Sequence, residues 1–216
     1  MQPITIFSLS ASISVDLDSL QIGENTLTES AKAKLREMLA LADQNRVLLQ
    51  AGLGYRYNRT SKEAGALADQ LDKLSVEVNR DQLVACLKQA GIAMVEVKYS
   101  GSGDSGGVEE IETTPNDIDL AGKSCLRVEI DYGWTKQPAC TIKVSLENLE
   151  DRLSGIADEM ISLFGHDGYE NNEGGYGTMT IAAEEGYGFP AGSVNLEHSD
   201  IIEATEDYSH RLGEAA

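Results

Sequence analysis

Residues 92–114 read I-A-M-V-E-V-K-Y-S-G-S-G-D-S-G-G-V-E-E-I-E-T-T, and the fold class turns on this stretch. Ile92, Met94, Val95 and Val97 give residues 92–99 the alternation of a half-buried strand. S-G-S-G-D-S-G-G then supplies a turn, and residues 108–113 return as the partner strand. Further strands follow. Leu126, Val128 and Ile130 place 124–132 on a sheet with one apolar side, and 139–144 reads as the next strand. Ser145 is the expected cap of a helix over 146–164, with Leu149, Leu153, Ile156, Met160 and Leu163 or Phe164 as its apolar stripe and Gly165 as its stop. Two more strands, 176–183 and 193–197, flank the E-E-G-Y-G-F-P-A-G turn. The tail, 201–212, reads as an edge strand or a loose helix.

Upstream of residue 92 the pattern is helical. A helix over 80–90 turns Leu83, Val84 and Leu87 inward and ends at Gly91. Helices over 61–74 and 27–50 both start with capping-box spacing, Thr60 with Glu63 and Thr26 with Glu29. At the N-terminus Phe7, Leu9, Ala11, Ile13, Val15 and Leu17 alternate with serines and Asp16, which is a strand with one wet face over 4–17. The expected fold is α+β, a mainly antiparallel sheet packed against helices with an N-terminal strand-plus-helices layer. The expected division is 1–79 for that layer and 80–216 for the domain with the two glycine-rich turns.

Composition narrows the function classes. Seventeen Lys and Arg face 36 Asp and Glu, a net charge of −19. Residues 145–216 hold 2 basic and 16 acidic residues, so −14 of that charge lies in the last third. Such a surface repels phosphate backbones and draws basic partners, so direct nucleic-acid binding is not expected. No run of about 18 apolar residues exists for a membrane span. The N-terminus lacks the cationic start and continuous apolar run of a signal peptide. Cys86, Cys125 and Cys140 have no metal-site spacing and read as small apolar side chains in a reducing, cytoplasmic setting. Asn58-Arg59-Thr60 has the glycosylation pattern, a chance match in such a setting.

Two motifs stand out, Y-S-G-S-G-D-S-G-G-V-E-E at 99–110 and G-Y-E-N-N-E-G-G-Y-G at 168–177. On these motifs the chain resembles a bacterial domain family of unknown function often found on plasmids and other mobile elements. That family shows Y/F-x-G-x-G-D-S-G-x-I/V-E, then W/Y-E-N-N-D/E-G-x-Y-G, a strand hairpin and an acidic tail. The resemblance covers residues 80–212. It departs at Tyr169, where tryptophan is usual, and at Thr178-Met179, where an acidic residue and an aromatic are expected. It implies a fold and no mechanism.

The residues themselves leave two readings of the motifs open. In one, the glycines supply left-handed turns that Asp104 and Asn172 tie down through side-chain-to-backbone bonds. In the other, both turns meet at one end of the sheet. Asp104, Glu109, Glu170 and Glu173, with Asn171 and Asn172 as neutral oxygen donors, then hold Ca²⁺ or Mg²⁺. The spacing is not that of an EF-hand. The first motif lacks the lysine and following helix of a phosphate loop. Ser105 lacks the surroundings of a protease nucleophile. Each of His166, His198 and His210 could act as a general base with a carboxylate partner, but their spacing suggests nothing specific, and flanking acids such as Asp167 and Asp200 make them read as surface histidines.

Three function classes follow. The leading one is a non-enzymatic acidic module that binds a basic protein, in its sharpest form a mobile-element inhibitor that imitates nucleic acid. Trp134, Glu184, Glu185, Glu203, Glu206 and Asp207 are its candidate contact residues. The second is a metal-dependent enzyme or metal-stabilised module using a divalent cation at the glycine motifs. The third is a structural subunit docking through the N-terminal layer.

Overall fold

The computed structural model describes residues 4–9, 17–22, 24–50, 62–116, 118–131, 141–166, 168–171 and 174–201. Calls on Asn58, Cys140, residues 10–16 and the tail beyond Ile201 lie outside them. The elements run β1 (Ile4–Leu9), β2 (Gln21–Ile22), β3 (Asn25–Thr26), α1 (Glu29–Gln50), α2 (Lys62–Gln89), β4 (Met94–Ser102) and β5 (Ser105–Thr114). They continue with β6 (Ser124–Asp131), β7 (Thr141–Asn148), α3 (Leu149–Leu163), β8 (Gly175–Ala182) and β9 (Ser193–Asp200). The fold is α+β, and every described strand pair is antiparallel. Among the described residues two sheets are present besides a β2-β3 ribbon: a three-stranded sheet in the order β1-β7-β6 and a four-stranded sheet in the order β5-β4-β8-β9. Among the described residues no helix is long and apolar enough to cross a membrane.

Each sheet has its own core. Leu35, Met38 and Ala42 of α1 pack with Leu71 and Val78 of α2 on Val128, Ile142 and Val144. Leu83 and Leu87 at the far end of α2 join Leu153 and Ile156 of α3 on Val95, Val97, Met179 and Ile181. Cys125 is buried in this second core and Cys86 is half-buried; both are free thiols.

One helix stands where two were expected at 61–74 and 80–90. Ser75, Val76, Val78 and Asn79 are weak helix formers, which suggests a break, but Val78 and Asn79 are buried and tertiary packing overrides propensity. α2 therefore runs unbroken through positions 79 and 80 and serves both cores. Asn79 also covers a sheet edge. β6 is the outer strand, and the Asn79 amide accepts from Val128 N at 2.8 Å and donates to Val128 O at 3.0 Å. Asn79→Ala should leave that buried N–H unpaired and lower stability by about 2–3 kcal/mol in urea unfolding. A loss under about 0.5 kcal/mol would mean that the edge needs no such cover.

Two caps differ from expectation. α1 is capped by Thr28, not Thr26: Thr28 Oγ1 accepts from Ala31 N at 3.1 Å, while Glu29 pairs with Lys32 at 2.7 Å. Ser145 is not a helix cap but a buried residue inside β7, because β1 and β6 pair with β7 on both sides and prolong it. Asn148 takes the cap, its side chain accepting from Asp151 N at 2.8 Å. The far end of α3 is as expected. Gly165 adopts φ +83°, Gly165 N donates to Ser162 O, and His166 N donates to Ile161 O at 3.0 Å. This is a Schellman termination, and it fixes where His166 leaves the helix.

Candidate functional site

Strand pairing alone puts Tyr99, Gly177 and His198 in one row across β4, β8 and β9. The next row is Gly106, Gly101, Gly175 and Asp200. Both rows turn inward, on the side covered by α3. The middle of the first row carries no side chain. A Cβ on Gly177 would lie 2.4 Å from Tyr99 Oη, so the glycine is what lets Tyr99 reach across to β9. Tyr99 Oη lies 2.8 Å from His198 Nδ1, and His198 Nε2 lies 3.0 Å from Asp200 Oδ1. Burial, reinforced by Tyr169 and Asp200, pushes the Tyr99 hydroxyl up to about 12, so it keeps its proton. With a neutral imidazole, Oη donates to Nδ1 and Nε2–H donates to Asp200.

The glycines of the second row form a bare floor. The segment after α3 lies on it: a Cβ at Gly101 would come 2.8 Å from Glu170 Cα, and one at Gly106 would come 3.0 Å from Glu170 Cβ. Asp104 N donates to Glu170 O at 2.9 Å, which ties the tip of the β4–β5 hairpin to this segment. That tip is Gly103-Asp104, both at positive φ, the geometry of a type I′ turn. The docked segment brings Tyr169 edge-on to Tyr99, with ring centroids 5.2 Å apart, and His166 alongside His198, 4.1 Å apart and tilted 33°. Burial, then Asp158 and Glu170, raises the Tyr169 hydroxyl. Burial and the Glu170 charge raise the Asp158 carboxyl.

The opposite face of the same sheet carries different chemistry. A bulge makes Glu109 the extra residue of β5, so Val108 pairs with Tyr99 while Glu110 pairs with Lys98. The bulge lets Val108 and Ile111 both reach the core although they are three apart in sequence. It also leaves Glu110 and Glu112 pointing outward with Glu96, Lys98, Ser100, Tyr176 and Glu197. Lys98 Nζ lies 2.8 Å from Glu110, 3.3 Å from Glu112 and 3.9 Å from Glu96, and the Glu110 bond raises its pKa. Glu109 accepts from Ser100 Oγ. A shallow cavity of about 440 Å³ here is bordered by Lys98, Glu109, Tyr176 and Ile201.

The sequence candidates separate accordingly. The two glycine motifs do meet, through the Asp104–Glu170 backbone bond. Asp104 is exposed at the turn, Glu109 lies on the outer face, and Glu170 lies on the inner one. Asn171 makes a local turn, its N–H donating to Gly168 O at 2.9 Å. Glu184 and Glu185 are exposed at the other end of the sheet, where β8 pairs with Met94. Trp134, Asn172, Glu173, Glu203, Glu206 and Asp207 lie outside the described residues. Sequence reasoning took His166 and His198 as surface histidines and did not bring them together with Tyr99; the His198 side chain is only 3% exposed, because Tyr99 and Tyr169 pack around it. The cluster's one local signal is the two-residue spacing of His198 and Asp200, which puts both on one face once β9 extends to Asp200 rather than stopping at 197.

Residues 75–212 match the model of a family of unknown function, DUF6878. No curated protein and no solved structure matches the chain.

Proposed function

This chain belongs to the DUF6878 family, and from the chemistry of its own surface we propose that it binds a basic protein through the outer face of the β5-β4-β8-β9 sheet. The observation that carries the reading is the ring of carboxylates on that face. Among the described residues Glu96, Glu109, Glu110, Glu112 and Glu197 lie on this face with one cation, Lys98, and Glu110 and Glu112 are each more than half exposed. Exposed Tyr176, with Ile201 bordering the same cavity, offers the aromatic anchor that interface centres favour. The net charge of −19 speeds encounter with a positive surface and repels nucleic acid. A partner that itself holds DNA or RNA would find its phosphate-binding surface occupied. Two free thiols suit the cytoplasm, where such groups stay reduced.

The test pairs salt with charge reversal. Basic proteins retained by the immobilised chain at low salt should be released by about 0.5 M salt, where screening acts within a few ångströms. The Glu110→Lys, Glu112→Lys double variant should weaken the strongest of these interactions by about tenfold or more. The reversed residues are exposed, so the loss of their pairs with Lys98 and the new like-charge contacts should lower stability only modestly and leave the fold intact. Retention that ignores both salt and charge reversal sinks the proposal. If the partner binds nucleic acid, the chain should displace a labelled oligonucleotide from it.

A further inference from the structure

We infer that His166, His198 and Asp200 form a site for one divalent first-row transition metal of the Zn²⁺ kind. One ligand atom from each lies within 4.8 Å of the others. Metal bonds of about 2.0–2.2 Å to nitrogen and oxygen then require the three to close in by only roughly 1 Å. The donor set, two imidazoles and one carboxylate, suits Zn²⁺, Co²⁺, Ni²⁺ or Fe²⁺ rather than Ca²⁺ or Mg²⁺, which take oxygen shells. This separates the site from an all-oxygen cluster at the glycine motifs.

Three features make it more than a chance grouping. First, the ligands are held by two separate elements. β9 presents His198 and Asp200 on one face, and the Schellman termination of α3 delivers His166. Second, the His198 side chain is only 3% exposed and its far nitrogen is already oriented by Tyr99. In the metal-bound form Nε2 takes the metal and Nδ1–H donates to Tyr99 Oη, the outer-shell partner that fixes a ligand's tautomer. Third, the His166 imidazole makes no hydrogen bond among the described residues, yet its ring sits 4.1 Å from that of His198. Ring contact alone gives two imidazoles little, whereas a cation shared with Asp200 turns it into coordination. The Asp200 side chain is 64% exposed, so the fourth position of a tetrahedral ion opens to solvent and admits water or an oxygen-donor ligand. The site lies on the other side of the sheet from the acidic face, at a solvent-exposed end, and stands independently of what that face binds.

The experiment uses the full chain with Co²⁺ and Zn²⁺ as probes, in excess Mg²⁺ to occupy exposed carboxylates. The chain should bind one equivalent with micromolar or tighter affinity and gain thermal stability. The Co²⁺ spectrum should lack a thiolate charge-transfer band, which rules out the cysteines. Asp200→Asn changes one exposed atom and should weaken binding by about tenfold or more. His166→Ala should weaken it further, and Tyr99→Phe by about tenfold. Binding that is unchanged in Asp200→Asn and His166→Ala, thiolate ligation of Co²⁺, or no Co²⁺ bound at about millimolar concentration would each overturn the proposal.

Discussion

Gly174→Ala should lower stability by about 3 kcal/mol or more, seen as a melting temperature roughly 6–12 °C lower for a chain of this size. Gly174 has φ +90°, where a side chain is strained whatever space it finds. Here there is no space: a Cβ would sit 1.8 Å from Gly101 O and 2.8 Å from Ser102 Cα. Gly101 belongs to β4, which is paired on both sides by β5 and β8, so it cannot retreat. The incoming segment must lift instead. That would break Ile201 N to Gly174 O and Asp104 N to Glu170 O, and would loosen Tyr169 and His166 against the sheet. Gly186→Ala is the matched control, because a Cβ there meets nothing within 4 Å. It should stay within about 0.5 kcal/mol of the parent. Equal stability for the two variants would show that the close approach of the glycine motifs does not hold the fold.

The other large effect should come from Arg152→Met, a loss of about 3–5 kcal/mol in urea unfolding. Arg152 is fully buried on α3. Its Nη2 lies 2.8 Å from Glu159 and its Nη1 lies 3.6 Å from Glu147, both mostly buried. Among the described residues none accepts an aligned hydrogen bond from its guanidinium nitrogens, so the attraction is one of charge. The same two carboxylates meet Arg127 at 3.2 and 3.9 Å, and Glu159 accepts from Asn79 at 3.2 Å. The network thus ties α2, α3, β6 and β7 together. Removing one partner leaves carboxylates short of positive charge in a low-dielectric place. Adding Glu147→Gln and Glu159→Gln removes that conflict and should restore at least half of the loss, a non-additivity that a double-mutant cycle measures. Losses that simply add up would show the three groups to be energetically separate.

What was legible in the sequence is local. Gly165 and Gly91 stop helices because a left-handed residue at that point closes two backbone bonds within six residues. The Gly103-Asp104 turn follows from residues that tolerate positive φ between two alternating strands. The α+β class follows from those periodicities. Caps were less legible, since Thr26, Thr28, Ser145 and Asn148 are all good cap residues and the choice among them depends on where strand pairing ends.

The sequence by itself determined most of the strands, the helices α1 and α3 to within a few residues, the acidic balance and the two glycine-rich motifs. Only the tertiary structure decided what those motifs are for, and that they face each other across β4. It alone joined two apparent helices into α2, because burial of Val78 and Asn79 outweighs their weak propensity. It alone placed Tyr99 beside His198, 99 residues away, because register across three strands, not spacing along one, decides which side chains meet.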